Sequence, residues 1–91
     1  IVHRIKISSG GRAGTVVDAK LVFGRALELK ASSIILAHNH PSTNLQPSQA
    51  DCQLTHKLFL AGKQLDLPLL DHLIISEKGF YSFADEGEME G

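Results

Sequence analysis

The feature that most constrains this chain is a short continuous apolar run at residues 33–38 (SIILAH), between two segments with helical periodicity. An apolar run of this length is typical of a strand that is covered on both faces. The segment before it predicts a helix that Asp18 caps and that runs to about Ala31. The segment after it predicts a helix from about Ser48 to Gly62. A buried strand between two helices indicates an α/β domain.

Each predicted helix has one apolar side, which we expect to face the core. In the first helix these residues are Ala19, Val22, Phe23, Ala26 and Leu27. In the second helix they are Ala50, Leu54, Leu58 and Ala61.

Three further segments have strand patterns. Residues 2–7 alternate apolar and polar side chains, residues 67–76 form a second buried strand, and residues 80–83 close a hairpin after a turn at 77–79. The order strand, helix, strand, helix, strand, strand predicts a mixed β-sheet flanked by helices. The glycine-containing stretch at residues 8–14 lacks the spacing of a nucleotide-binding loop and predicts a plain turn.

The 91 residues predict one domain, 1–91, whose last residues, 85–91, form a solvated acidic tail. The chain opens without Met on a strand pattern, so we expect an N-terminally truncated domain that lacks one or more strands. Its net charge of −1, scattered basic residues and 5% aromatic content do not favour a nucleic-acid surface. Cys52 is the only cysteine, which excludes an internal disulfide and predicts a cytoplasmic protein with a buried, unreactive thiol. No apolar run is long enough for a membrane span.

The residues most typical of a functional site follow the apolar run. His38 and His40 are two positions apart at the end of a strand, so their side chains point to the same side. Pro41 holds His40 extended. Asp51 lies in the first turn of the second helix, after a loop long enough to return to the strand end. Two histidines and a carboxylate, with the fourth position left to water, are a catalytic zinc shell.

The same residues have simpler explanations. Ser48 and Asp51 form the S-x-x-D pattern of a capping box, which begins a helix whatever its function. An isolated His-x-His pair is often only exposed surface. The combination of both patterns across one loop favours the metal site.

These motifs resemble a known family. His-x-His, seven residues, then Ser-x-x-Asp is the metal signature of the JAMM (MPN-domain) metalloproteases. The RadC-like proteins resemble the chain more closely, through HNHPS at residues 38–42, PSQAD at 47–51, LLDHLIIS at 69–76 and YSFADEG at 81–87.

The resemblance implies a JAMM/MPN, cytidine-deaminase-like architecture with Zn²⁺ bound by His38, His40 and Asp51. It implies that Ser48 stabilises an oxyanion and that an upstream glutamate activates water. Only Asp18 and Glu28 precede the histidines as acids, and their patterns predict structural roles, so the base is expected outside this chain. Thr43 replaces the family's usual glycine, which predicts a local difference in the loop.

The remaining histidines and one neighbouring acid have only strand and helix patterns to indicate their roles. Asp71 and His72 are adjacent on a strand and so face opposite sides. One of them could orient a metal-ligating imidazole, or His72 could pack in the sheet while Asp71 caps backbone. His56 and His3 are predicted to be surface residues.

Two functions remain open at this point. The first is a zinc hydrolase that cleaves peptide or isopeptide bonds of a peptide or protein substrate. The second is a non-enzymatic binding module, with DNA as a partner only through the DNA repair label that RadC-like proteins carry. A nucleobase deaminase is excluded because the chain lacks its H-x-E and P-C-x-x-C motifs.

Overall fold

The computed structural model describes residues 17–40 and 44–90. The predicted first strand, the turn at 8–14, His3 and the loop position Thr43 lie outside these residues. The described elements, in chain order, are α1 (Ala19–Glu28), β1 (Ile34–Asn39), α2 (Gln49–Gln64), β2 (Leu69–Ser76) and β3 (Gly79–Ser82).

The described strands form one mixed sheet in the order β1-β2-β3. β1 and β2 are parallel and are joined through α2, as a parallel pair requires a crossover connection. β2 and β3 are antiparallel and form the predicted hairpin. The α/β class and the mixed sheet predicted from the sequence are therefore confirmed.

The register of β1 against β2 contains one irregularity. Ile34 pairs with Leu69 but Ile35 pairs with Asp71, so β2 has one extra residue at this point. An extra residue interrupts the strict alternation of side chains along a strand. As a result Leu69 and His72 are both buried, although they are an odd number of positions apart.

The core lies between the two helices and β2. Its buried members are Phe23, Ala26, Leu58, Leu67 and Leu69. Asp18 caps α1 through a bond from the Lys20 amide, as predicted.

Two residues that were predicted to lie in the core are exposed, so these two predictions are wrong. Leu27 is 58% exposed, and Ala50 at the start of α2 is also exposed. The buried residues of α1 are Val22, Phe23 and Ala26, and those of α2 are Thr55, Leu58 and Gly62.

The strand β1 is also less covered than its apolar sequence predicts. Its side chains alternate between half-buried and exposed, and Ile35 is 60% exposed. The expectation of a strand covered on both faces therefore fails for the part of the chain that the structure describes. At the other end of the chain, Met89 packs against the core, so the segment predicted as a solvated tail is anchored there.

None of the described helices is long and apolar enough to cross a membrane.

Candidate metal centre

The carboxyl end of β1 positions two imidazoles. His38 lies on the half-buried side of β1, and His40 follows the strand by one residue. The His40 amide donates to the Ile75 carbonyl at 3.0 Å, so the extended pairing with β2 continues through His40, as the following proline predicts. The two ring centroids are 5.0 Å apart. Both side chains therefore point to one place.

The amino end of α2 brings a carboxylate to the same place. Ser48 is the N-cap, and its Oγ accepts a hydrogen bond from the Asp51 amide at 3.0 Å. The Ser48 amide in turn donates to Asp51 Oδ2 at 2.8 Å, which completes a capping box. Asp51 is thus both the second partner of the capping box and a candidate ligand, and the box orients its carboxylate toward the histidines.

The three side chains are close enough to share one ion. One ligand atom from each of His38, His40 and Asp51 can be chosen so that all lie within 4.8 Å of one another. His38 Nε2 is 3.2 Å from Asp51 Oδ1, and His40 Nε2 is 3.2 Å from Asp51 Oδ2. Ligands of a tetrahedral zinc ion are about 3.3 Å apart, given metal–ligand bonds of about 2.0–2.1 Å. The two histidine–carboxylate distances, which involve different oxygens of Asp51, are close to that separation.

The hydrogen bonds of His40 indicate which nitrogen is free to bind. Its Nδ1 lies 3.1 Å from the Asn44 carbonyl oxygen, and a carbonyl can only accept, so Nδ1 carries the proton. In the neutral ring Nε2 then carries only a lone pair, and this atom faces Oδ2 of Asp51. Two acceptor atoms at this distance need a cation between them, which is either a proton or a metal ion.

The pKa shifts of His38 and Asp51 favour the forms of these two side chains that can bind a metal ion. Burial, opposed by Asp51 and assisted by His40, lowers the pKa of His38 below its usual 6.5. Burial alone would raise the pKa of Asp51, but hydrogen bonds from Ser48 and the neighbouring histidines bring it below its usual value. Metal ligands must be deprotonated, so both shifts favour binding.

Behind His38 lies a buried polar pair that contacts this ligand. His72 Nε2 is 2.8 Å from His38 Nδ1, and His72 Nδ1 is 2.5 Å from Thr55 Oγ1. The His72 and Thr55 residues are both 0% exposed, and the His72 ring stacks on Phe83 with centroids 4.9 Å apart. Burial, with a further contribution from His38, lowers the pKa of His72 to about 4. His72 is therefore neutral at pH 7.

Asp71 does not take part in this contact. Its carboxylate accepts bonds from the Ser82 hydroxyl at 2.5 Å and the Ala84 amide at 3.0 Å. The extra residue in β2 turns His72 to the inner side and Asp71 away from it. Of the two residues, His72 contacts the candidate ligand His38, and Asp71 instead fixes the segment after β3.

Other predicted residues have structural surroundings. Asp18 caps α1, and Glu28 pairs with Arg25 at 3.5 Å, which agrees with their predicted structural roles. His56 is exposed, as expected. Cys52 is half-buried rather than buried, and burial raises the pKa of its thiol, which disfavours the reactive thiolate.

Sequence reasoning missed Thr55. Its position four residues after Asp51 places it on the same side of α2, and this spacing was the available signal. The identity of its partner depends on how β2 lies against α2, which no local pattern reveals.

The fold and the site define a small α/β domain with a His-His-Asp group that can hold a metal ion. A family model described as RadC-like JAB domain matches residues 1–88. The chain therefore belongs to the RadC-like JAB domain family, which confirms the resemblance seen in its motifs.

Full-length relatives carry the same segment. A UPF0758 protein of Flavobacterium johnsoniae is 54% identical over 87 residues, which cover 96% of this chain and 38% of the relative. A UPF0758 protein of Porphyromonas gingivalis is 46% identical over 88 residues, covering 96% of this chain and 39% of the relative. One of Geotalea uraniireducens is 40% identical over 89 residues, with coverages of 98% and 39%. The chain thus spans 38 to 39% of the length of these relatives.

Proposed function

We propose that this chain is the zinc-binding domain of a cytoplasmic JAMM-type metallopeptidase that hydrolyses peptide or isopeptide bonds of a peptide or protein substrate. The observation that carries the proposal is the pair of facing acceptors at His40 Nε2 and Asp51 Oδ2, 3.2 Å apart, because the Asn44 carbonyl holds the His40 proton on the other nitrogen. His38 adds a third ligand atom beside the same carboxylate.

The donor set is suited to zinc in particular. Imidazole nitrogen and a carboxylate oxygen are common zinc ligands, and three protein ligands leave a position for water or substrate. Zinc held in such a shell lowers the pKa of bound water to about 7 and polarises a carbonyl group.

Ser48 is proposed to stabilise the oxyanion that forms when the carbonyl is attacked. Its Oγ already accepts the Asp51 amide, which fixes the side chain at the helix start. A hydroxyl that accepts one hydrogen bond still has its own proton to donate. Ser48 therefore serves both as the N-cap of α2 and as a donor beside the site.

The zinc site is tested by metal binding to variants of the chain. We expect one zinc ion per wild-type chain by calorimetry and metal analysis, and loss of binding in His38→Ala. Asp51→Asn keeps an oxygen that can accept the Ser48 amide, so it should retain helix α2 by circular dichroism while its zinc affinity falls at least tenfold. His56→Ala, which removes an exposed histidine of α2, is the matched control and should bind as wild type.

Hydrolysis is tested with a peptide substrate on a protein that contains this domain. Ser48→Ala should keep its zinc content and lose about 10²–10³ in kcat on a cleaved peptide, the usual effect of removing one oxyanion donor. Ser48→Thr, which keeps the hydroxyl, should retain most of the activity. A wild-type chain that takes up no zinc would sink the proposal, and equal zinc binding by His38→Ala would remove His38 from the ligand set.

A further inference from the structure

We propose that the Thr55 hydroxyl is a positioning group that sets the tautomer of His72 and, through His72, presents Nε2 of His38 to the metal as a lone pair. This inference rests on the proposed zinc site and extends it to two buried residues that touch no metal.

The contacts form an unbroken chain of hydrogen bonds. Thr55 Oγ1 donates to the Asp51 backbone carbonyl at 2.7 Å, lies 2.5 Å from His72 Nδ1, and is 0% exposed. His72 Nε2 then lies 2.8 Å from His38 Nδ1. The other nitrogen of His38 faces the Asp51 carboxylate at 3.2 Å. This series of contacts therefore begins at the Asp51 backbone carbonyl and ends at the Asp51 carboxylate.

The donor and acceptor roles along this series of hydrogen bonds follow from the Asp51 backbone carbonyl at its end. A backbone carbonyl can only accept, so the single Thr55 proton points to Asp51. Thr55 Oγ1 is then the acceptor for His72, and His72 must carry its proton on Nδ1. His72 Nε2 is consequently an acceptor, and His38 must carry its proton on Nδ1. The lone pair of His38 is left on Nε2, the atom that faces the proposed ion.

The opposite direction would prevent metal binding at His38. If Thr55 donated to His72, the His72 proton would lie on Nε2 and the His38 proton on its own Nε2, directed at the carboxylate. This arrangement gives up the Thr55 bond to the Asp51 carbonyl. It also requires two imidazoles to exchange their protonated nitrogens before His38 can bind an ion. Buried groups such as His72 and Thr55 cannot use water to replace a lost partner.

The two ligand histidines thus obtain the same tautomer by different routes. His40 donates directly to the Asn44 carbonyl, whereas His38 is connected to the Asp51 carbonyl through His72 and Thr55. Outer partners of this kind raise the basicity of metal-ligating histidines, and their loss typically costs 10- to 100-fold in metal affinity.

The first test uses the metal-free chain and needs no variant. Nitrogen-15 NMR distinguishes protonated from unprotonated imidazole nitrogens, and we expect His72 to be protonated at Nδ1 and not at Nε2 near pH 7. In Thr55→Val, which keeps the side-chain shape and removes the acceptor, the protonated nitrogen of His72 should move to Nε2. A wild-type His72 protonated at Nε2, or an unchanged tautomer in the variant, would overturn the proposal.

The second test measures zinc affinity in a matched pair of variants. Thr55→Val should raise the Kd for zinc about 10- to 100-fold. Thr55→Ser keeps the hydroxyl and should bind within about threefold of wild type. If Thr55→Val binds zinc as tightly as the wild-type chain, the positioning role is contradicted. If Thr55→Ser loses as much zinc affinity as Thr55→Val, the loss is an effect of packing and the positioning role is again contradicted. If the wild-type chain binds no zinc, the proposed function fails while the tautomer measurement still decides this inference. If Thr55→Val does not fold, the wild-type spectrum and the Ser variant decide it.

Discussion

At the scale of single residues, His72 shows how burial lowers the pKa of a histidine beside a candidate metal site. Its ring is stacked on Phe83 and is bonded only to His38 and Thr55 among the described residues. Adding a second proton would place a charge where water cannot reach it, and this is why the pKa falls from 6.5 to about 4. The His72 ring therefore has a lower pKa in the folded chain than in the unfolded chain.

This difference predicts that the metal-free chain loses stability as the pH falls. Between about pH 6.5 and pH 4 the unfolded state binds more protons than the folded state, so the free energy of unfolding rises with pH in this window. The contribution of neutral His72 to the free energy of unfolding is fully present above about pH 6.5 and is lost by about pH 4. The expected loss is about 3 kcal/mol. Urea denaturation at several pH values, with chelator present, measures it.

The control for this prediction is His56→Gln, which removes an exposed histidine from α2. Its unfolding free energy should follow the same pH dependence as wild type. A wild-type free energy of unfolding that stays constant from pH 7 to pH 4 would show that His72 is not buried and neutral as described.

At the scale of elements, the end of α2 lies unusually close to the segment that leads into β2. The Leu67 amide donates to the Gly62 carbonyl at 2.8 Å. A Cβ atom on Gly62 would overlap the Leu67 carbonyl oxygen and would lie 3.3 Å from the Leu69 amide nitrogen. Only a residue without a side chain allows this approach, which sets the position of β2 and of His72 within it.

Gly62→Ala is therefore expected to destabilise the chain, although alanine favours a helix by about 1 kcal/mol over glycine. Overpacking against backbone atoms costs about 1–3 kcal/mol and should outweigh that gain. Gly24→Ala in α1 is the matched control, because a Cβ there meets nothing within 4 Å. The control should raise the free energy of unfolding by up to about 1 kcal/mol. Both values follow from denaturant titration, and a stabilised Gly62→Ala chain would contradict the close approach.

The elements show which parts of the fold a sequence can specify. Helix caps are local, so Asp18 and Ser48 were predicted correctly from the residues around them. Burial depends on neighbours in space, and for this reason Leu27 and Ile35 are exposed despite apolar patterns. The positions of the three candidate ligands follow from strand parity and one loop, both visible in the sequence.

The choice between Asp71 and His72 was not predictable in the same way. It depends on the extra residue in β2, which changes which side chains face inward. A strand sequence does not reveal where such an irregularity falls, because it is set by pairing with a distant strand. Thr55 was missed for the same reason, since its partner lies on β2.

At the scale of the whole molecule, the proposed metal would join β1 and the residue after it directly to α2. His38 belongs to β1, Asp51 belongs to α2, and His72 ties both to β2. A ligand that binds only the folded state stabilises it by mass action. Zinc binding should therefore stabilise the entire described domain and not only the loop between His40 and Asp51.

We expect zinc to raise the Tm of the chain and a chelator to reverse the change. At a free zinc concentration about 100 times the Kd, the stabilisation should be about 2.7 kcal/mol. Differential scanning calorimetry with and without chelator measures it, and magnesium at the same concentration serves as the metal control. His40→Ala should show no zinc-dependent shift. A Tm independent of zinc in the wild-type chain would contradict the proposed site.

The parallel pairing of β1 with β2 also sets the order in which the site can be completed during synthesis. The residues that pair, such as Leu36 with His72, are separated by the whole of α2. At about 5–20 residues per second, His72 is made roughly 1–4 s after Asp51. For that interval the ribosome carries a chain that has all three proposed ligands but not yet His72, the proposed partner that keeps the His38 proton on Nδ1. A metal ion that arrives early therefore meets ligands whose tautomers are still free to change.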